Sequence, residues 1–554
     1  MTVTERTAPP SSPTLKRHVG VTGLLFASVG SIIGSGWLFG ALNASKEAGP
    51  AAIISWALGG VLILLIALTY AELGTMFPLS GGVVRFPHMA FGHLASFTAG
   101  WITYVAVATT APIEVEAALQ YGTKYADFTE KHTVGGEDVH TLTALGYAAA
   151  VVLMALFVVV NYYGVRWFAR INNVLVGWKL FIILLVIAAF FVTAFHGSNL
   201  HSHGFAPHGV HGIFSAIATG GIVFSYLGFR QGIELAGETD NPRRNVPIAV
   251  IGSVLLTGVI YVLLQVAFIG SLDPRTLADS GSWSELSFEN DFGPLAAIAT
   301  AIGLGWLAVL LYIDAVISPG DTGLIYTTIT SRISFAMARN GNAPQALEKT
   351  TDKGVPMVGL VLTFLVGLVA FLPFPSWQQL VGFITSATVL SFASGPLVHA
   401  ALRIQAPEHE RPFRLPGGHT IPLLAFWGSN LIVYWSGWTT VWKLMVAVLI
   451  GFVFLAGYVA AGRLRGTSLD VRSGLWVFPW LAGLAVISYV GNYPEPAAGN
   501  LEKLDFGLSA GLLLLLSIGV YALAYALRLP TEQAQSYIED TVHEAKVEDE
   551  VLAN

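Results

Sequence analysis

Two apolar stretches of this chain carry glycine where a helix would otherwise run on. The first reads Gly30-Ser31-Ile32-Ile33-Gly34-Ser35-Gly36-Trp37 and the second Gly220-Gly221-Ile222-Val223-Phe224-Ser225-Tyr226-Leu227-Gly228-Phe229-Arg230. A helix interrupted inside apolar surroundings leaves N–H and C=O groups without partners, which is tolerated where they line a cavity or hold a ligand. After the first break, free N–H groups at Ser35, Gly36 and Trp37 and the positive end of a half-helix suit a carboxylate. Gly34 and Gly36, next to Ile33, let the backbone come close to it. At the second break, carbonyls near Phe224, Ser225 and Tyr226 suit an ammonium group, with Gly228 in the same stretch. An α-amino acid would be held by both ends. Glycines also serve tight helix packing, but the repetition of the break favours binding. Trp37, Phe224, Tyr226 and Phe229 are candidate walls or gates, and each is equally open to ordinary packing.

Charged residues inside apolar runs come next, because they are costly there and usually functional. Arg230 offers a planar fork that suits a carboxylate on a substrate side chain. An internal pair with Glu234, one turn on, or with Asp314 is the equal alternative. Lys179 sits in Trp178-Lys179-Leu180, inside an apolar run. A buried ammonium group can give up its proton and so couple a proton to a shape change; a permanent ion pair is the alternative. Asp314 and Asp321 are seven apart and share a helix face. Glu114 and Glu116 are two apart, so at most one of them looks inward. Asp314 is the acid expected on the inner pathway. Glu72 is expected to pair with an inner-loop arginine. His196, His201, His203, His208 and His211 share one loop, where a pH response or a metal site is conceivable; a solvated polar loop is the plainer reading.

The elements that must position these residues follow from composition. The chain has 554 residues, 54% of them hydrophobic and 11% charged. Its mean hydropathy is +0.65. Soluble domains carry about 25% charged residues, so this is an all-α polytopic membrane protein. About fourteen spans are expected, near 20–43, 51–77, 93–121, 142–163, 172–195, 212–237, 246–271, 295–336, 355–373, 378–403, 421–439, 440–462, 474–492 and 507–527. Apolar runs of about 20 residues suffice to cross a bilayer. The 295–336 run is longer than one crossing. Lys16, Arg17, Arg85, Arg166, Arg170, Arg243, Arg244, Arg332, Arg339, Lys349, Lys353, Arg403, Arg411, Arg414, Arg463, Arg465, Arg472 and Arg528 fall in alternate loops. The positive-inside rule then puts both termini in the cytoplasm of a cell (plasma or inner) membrane. The first 18 residues are polar and carry no signal-peptide pattern. No cysteine is present, so disulfides and thiol chemistry are excluded.

The breaks open the first and sixth spans, which is the signature of a 5+5 inverted repeat. The expected organisation is an N-terminal tail over 1–18, repeat one over 19–195, repeat two over 196–404, peripheral helices over 405–528 and an acidic tail over 529–554, read as solvated or as a short surface helix.

Several motifs are similar to those of the amino acid–polyamine–organocation permeases. Ile33-Gly34-Ser35-Gly36-Trp37-Leu38-Phe39 resembles the first-helix pattern of that family, with Trp where an aliphatic residue is usual. Ser55-Trp56 and Tyr70-Ala71-Glu72-Leu73-Gly74 through Ser80-Gly81-Gly82 resemble its second-helix signature. Glu238 through Pro247, Ser331-Arg332 with Met337 through Pro344, and Arg411-Pro412-Phe413-Arg414-Leu415-Pro416-Gly417 resemble later segments. Ser318-Pro319-Gly320-Asp321-Thr322-Gly323 and the sixth helix resemble the aspartate/glutamate:proton symporter branch. The resemblance implies a leucine-transporter-like fold. It also implies that the ammonium of Lys179 stands where related transporters hold sodium. Arg230 departs from the acidic or neutral residue usual near that position.

These observations point to a proton-coupled amino acid symporter working by alternating access, with acidic substrates favoured by Arg230. The expected site is Ile33, Gly34, Ser35, Gly36, Trp37, Phe224, Ser225, Tyr226, Gly228 and Arg230 for substrate, with Lys179 and Asp314 for the proton. Amino acid exchange, a neutral amino acid or polyamine substrate, a channel, and a sensor that binds without transporting are the rivals. The expected partners are an amino acid and the lipid bilayer. No phosphate loop, hydrolase triad or nucleic-acid signature is present, and no cofactor or metal is expected beyond the coupling proton.

Overall fold

In the computed structural model, residues 19–79, 81–134, 137–163, 165–339, 341–351, 355–462, 469–493 and 499–553 are described. The expected tail over 1–18 lies outside them, as do Lys353, Arg463, Arg465 and the side chains of Arg166, Arg170 and the acidic residues from Glu544 onward.

The first third of the chain contains α1 (Val21–Ile32), α2 (Gly36–Ala48), α3 (Ala52–Met76), α4 (Gly82–Phe91), α5 (His93–Ala108) and α6 (Thr110–Gly122), then strands β1 (Thr129–Val134) and β2 (Glu137–Leu142), α7 (Ala144–Tyr163) and α8 (Val165–Thr193). The middle third holds α9 (Gly209–Ala218), a 3-10 helix over Phe224–Arg230, α10 (Gln231–Glu234), α11 (Pro242–Ser271), α12 (Pro274–Ser280), α13 (Pro294–Ala301), α14 (Gly305–Arg339), α15 (Met357–Ala370), α16 (Trp377–Phe392) and α17 (Ser394–Gln405). The last third has α18 (Thr420–Trp435), α19 (Gly437–Ala460), α20 (Val471–Gly474), α21 (Val477–Val490), α22 (Phe506–Leu527) and α23 (Thr531–Ala553).

Among the described residues, ten helical runs are long and apolar enough to cross a membrane. Their burial separates centre from rim. The most apolar window of the α16–α17 run is 100% buried and that of α5–α6 89%, whereas that of α19 is 22% buried. α19 turns Leu449, Val453 and Phe454 outward. Outward apolar side chains on a helix of this length suit contact with the hydrocarbon of a bilayer. The long 295–336 run resolves into α13 and the 35-residue α14, which is about 52 Å long at 1.5 Å per residue.

The first break is Ile33-Gly34-Ser35, between α1 and α2. The second lies earlier than the sequence suggests. α9 stops at Ala218, and Gly221 takes a φ of +87° that ends the helix. Phe224, Ser225 and Tyr226 therefore belong to the 3-10 segment after the break and are not the last carbonyls of the first half, which corrects the placement of the ammonium-facing carbonyls. A hairpin, Thr129↔Leu142 to Val134↔Glu137, occupies what reads in sequence as a loop. It is fastened to the α12–α13 segment through Asp291, which meets His140 at 3.2 Å and Lys131 at 3.5 Å. Burial alone would raise the Asp291 carboxyl; the hydrogen bond and charge of His140, with Lys131 and Lys46, hold it below its ordinary value.

At the other end of the bundle Glu72 closes α3 onto α17. Its carboxylate accepts from Arg403 Nε at 3.1 Å and Nη2 at 2.7 Å, and from the Leu415 N–H at 2.7 Å. His399 Nε2 lies 3.0 Å away and Arg411 Nε 3.4 Å. Arg411 also donates to the carbonyls of Leu402 and Ala406. The Arg411-Pro412-Phe413-Arg414 motif thus caps one helix and pairs with another.

α23 corrects the reading of a solvated or short tail. It is a 23-residue helix whose Ala534, Ile538 and Thr541 are buried against α4 and α17. Their spacing marks one apolar stripe. Tyr537 Oη and Gln533 Nε2 donate to Asp470 at 3.0 and 2.9 Å. The same carboxylate accepts the His93 N–H at 3.2 Å. The His88 ring stacks on Tyr537 at 4.6 Å.

Candidate functional site

α1 and α2 point their open ends at each other across Ile33-Gly34-Ser35. At the start of α2 the Ser35 N–H donates to Glu114 Oε2 at 2.8 Å. Glu114 projects from α6 and is 1% exposed. An internal carboxylate thus occupies the half-helix N-terminus where the sequence predicts a carboxylate ligand. A Cβ on Gly34 would lie 2.6 Å from Glu114 Oε1 and 3.1 Å from Thr322 Oγ1, so only glycine fits between them.

Thr322 leads to Lys179. The Lys179 ammonium, wholly buried, donates to Gly30 O at 2.9 Å and Thr322 Oγ1 at 3.2 Å, and pairs with Asp321 Oδ2 at 2.6 Å. It joins α8 to the C-terminal carbonyls of α1 and to α14. Of the two acids seven apart, Asp321 takes the lysine. Asp314 instead accepts from Trp178 Nε1 at 2.9 Å and from Ser318 Oγ at 2.8 Å. Both acids act electrostatically on or near Lys179, but only Asp321 touches it.

A small cavity lies beside these groups. It is lined by Ser31 and Ile32 at the end of α1, Gly34 of the first break, Thr110 and Glu114 of α6, Phe224 and Leu227 of the 3-10 segment, Thr322 and Tyr326 of α14, and Ile384 and Thr388 of α16. Of the sequence-predicted residues, Gly34 and Phe224 line it; Ile33, Ser35 and Gly36 are their chain neighbours and are not among the lining residues. Gly36 is packed against Ser225, since a Cβ there would lie 2.2 Å from Ser225 Oγ. Gly228 is where the 3-10 segment crosses the end of α1; a Cβ would come within 2.3 Å of the Ile32 nitrogen.

The remaining expected residues stand away from the cavity wall. Tyr226 donates to Trp56 O at 3.1 Å and sits edge-on to Trp56 and Tyr261. Trp37 is wholly buried. Arg230 is wholly buried too, with Nη2 3.1 Å from Glu234 Oε1 and its guanidinium 5.6 Å over the Phe392 ring. Its Nε and Nη1 have no hydrogen-bond partner among the described residues. Glu116, on the opposite side of α6 from Glu114, is buried with neither oxygen hydrogen-bonded among them.

Sequence reasoning placed Thr322 in a motif without giving it a role, and missed Tyr326, Ile384, Thr388 and Trp377. The last four lie in ordinary apolar helices, and nothing in their local pattern sets them apart from packing residues. Three of the five histidines of the 196–211 loop have structural partners: His208 meets Glu47 O, His203 meets Leu277 O, and His211 stacks on Tyr493. Among the described residues no group of three or more His, Asp or Glu could hold a metal ion.

Residues 19–487 match the family model described as amino acid permease. The chain is 37% identical to the glutamate/serine transporter AimA of Bacillus subtilis (strain 168), over 94% of this chain and 95% of that protein. It is also 37% identical to the aspartate-proton symporter of the same organism, over 92% and 96% of the two. The branched-chain amino acid permease BcaP of Bacillus subtilis is 27% identical over 79% of this chain and 92% of its own length.

Proposed function

The chain belongs to the amino acid permease family, and from that premise we propose that it is a proton-coupled symporter for acidic amino acids, working by alternating access. It is a multi-pass membrane protein that carries amino acids. The observation behind proton coupling is the Ser35 N–H held by Glu114. With Lys179 and Asp321 it makes a buried cluster of two carboxylates and one ammonium, one negative charge in excess. A substrate carboxylate arriving at Ser35 must displace Glu114 into surroundings of low dielectric, where an unpaired charge is expensive. A proton on Glu114 removes the excess charge and frees the N–H together. Proton and substrate then favour the same closed form, as symport requires.

In this reading the fold is a 5+5 inverted repeat of about fourteen spans. The first and sixth are broken, helices beyond the tenth are peripheral, and both termini face the cytoplasm. The α23 end is then inside and the β-hairpin end outside. Lys179, paired with Asp321 and bonded to the carbonyl end of α1, transmits the proton's presence to the broken helix; Asp314 orients Trp178 next to it. Acidic specificity is supported by relatives whose names include glutamate and aspartate, and by Arg230, which stands away from the cavity wall but whose Nε and Nη1, without hydrogen-bond partners among the described residues, suit a carboxylate that the second break brings to them. A neutral substrate is the second reading, supported by serine in the name of one relative and by the Arg230–Glu234 pair, which satisfies part of the arginine internally.

The test is uptake of labelled aspartate by proteoliposomes with and without an inward proton gradient, with unlabelled glutamate, leucine, arginine and putrescine as competitors. Uptake driven by the gradient and blocked by glutamate alone supports the proposal. Glu114→Gln, a permanently neutral mimic, should keep aspartate exchange and lose the acceleration by the gradient. Gradient-driven uptake in that variant would overturn the role of Glu114.

A further inference from the structure

Both breaks meet on one side chain that belongs to neither. Trp377 is the first residue of α16, held by the Ser376 hydroxyl, which accepts the Gln379 N–H. Its indole is wholly buried and donates from Nε1 to Ser35 Oγ at 2.9 Å. The ring packs on Phe39 at 5.1 Å and edge-on to Phe224 at 6.0 Å. A Cβ on Gly221 would lie 2.8 Å from it, so the second break passes directly against the edge of the ring. Ile384 and Thr388, seven and eleven residues along α16, fall on the same side of the helix and line the cavity. Trp377 therefore stands about 10 Å beyond Ile384 along the helix axis, towards the hairpin end.

We propose that Trp377 is the outer gate of the cavity, and that its bond to Ser35 Oγ ties closure of the gate to occupancy of the Ser35 N–H. This rests on the reading of the cavity as the substrate site. Ser35 is held twice: its backbone N–H by a carboxylate, its hydroxyl by the indole. A carboxylate on the N–H fixes the backbone of Ser35 and so presents the hydroxyl to Trp377. When the carboxylate leaves, the hydroxyl is no longer aimed and the indole loses its anchor. Opening to the outside then requires α16 to draw its ring away from Phe39, Phe224 and Gly221.

The chain has no cysteine, so a single reporter can be placed without background. Thr388→Cys on the cavity wall is labelled by a membrane-impermeant thiol reagent added outside, with Ser284→Cys on the exposed outer loop as control. Trp377→Phe, which keeps a ring and loses the N–H, should raise the Thr388→Cys labelling rate on the order of fivefold, the effect of one hydrogen bond. Ser35→Ala removes the same bond from the other side and should do the same, and the two together should do no more than either. Unchanged rates in both variants with normal labelling of Ser284→Cys, or additive effects, would overturn the gate. The readout needs no uptake, so failure of the symport reading leaves it standing, and failure of the gate leaves the uptake result standing.

Discussion

Lys179 concentrates the chemistry at the scale of single residues. Its ammonium is bonded to a helix-end carbonyl, a hydroxyl and a carboxylate at once. Lys179→Ala leaves Asp321 buried and unpaired, which typically costs about 3–5 kcal/mol. The expected outcome is a protein with a lower melting temperature in detergent whose remaining aspartate exchange no longer varies with pH. Unaltered pH dependence in that variant would remove Lys179 from the coupling. Arg230 makes a different prediction. Arg230→Gln should raise KM for aspartate at least about tenfold, roughly one charge-assisted hydrogen bond, and leave serine little changed. Equal loss for both substrates would make Arg230 a packing residue of Glu234 and Phe392. Gly34, Gly36 and Lys179 were legible in the sequence because each breaks a local rule: glycine inside a helix, charge inside lipid. Trp377 and Thr388 break none. Their roles come from what α16 lies against, which no local pattern encodes.

At the scale of elements, the breaks were legible as regions and not as boundaries. Two adjacent glycines can end a helix at either one, and only the positive φ of Gly221 fixes the end at Ala218. The hairpin was not legible because Thr129–Leu142 lacks the alternation of apolar and polar residues that marks a half-buried strand. Glu72 shows a motif whose reason is tertiary. Its conspicuous charge near the end of α3 announced a partner, and the structure supplies Arg403, Arg411 and His399 from α17 and the loop beyond it. Glu72→Gln should destabilise the protein by about 3–5 kcal/mol, the usual effect of removing one partner of a buried charge network. The measurement is a detergent melting curve. Glu72→Gln combined with Arg403→Gln should recover part of the loss, because fewer charges are then stranded. A double variant worse than the sum of the singles would contradict the network.

Across the whole molecule, α23 joins the last helix of the chain to α4 in its first third and α17 in its middle third. Burial, with His93 beside it and against the pull of Asp470, pushes the His88 imidazole down to about 3. A histidine near pH 6.5 when undocked therefore takes up more protons with the tail released than with it docked. The docking is fully present above about pH 6.5 and weakens as pH falls towards about 3. Hydrogen exchange of the α23 amides should be faster at about pH 5 than at about pH 7, after correction for intrinsic rates. His88→Phe, which keeps the stacked ring, should remove that difference. The socket that receives α23 is built from α4, α17 and Asp470, all of them upstream of α22. In the order of synthesis these pieces come before residue 531. A chain cut after α22 keeps α4, α17 and Asp470 and loses Ala534, Tyr537 and Ile538 from them, which leaves an apolar socket open to any other amphipathic helix.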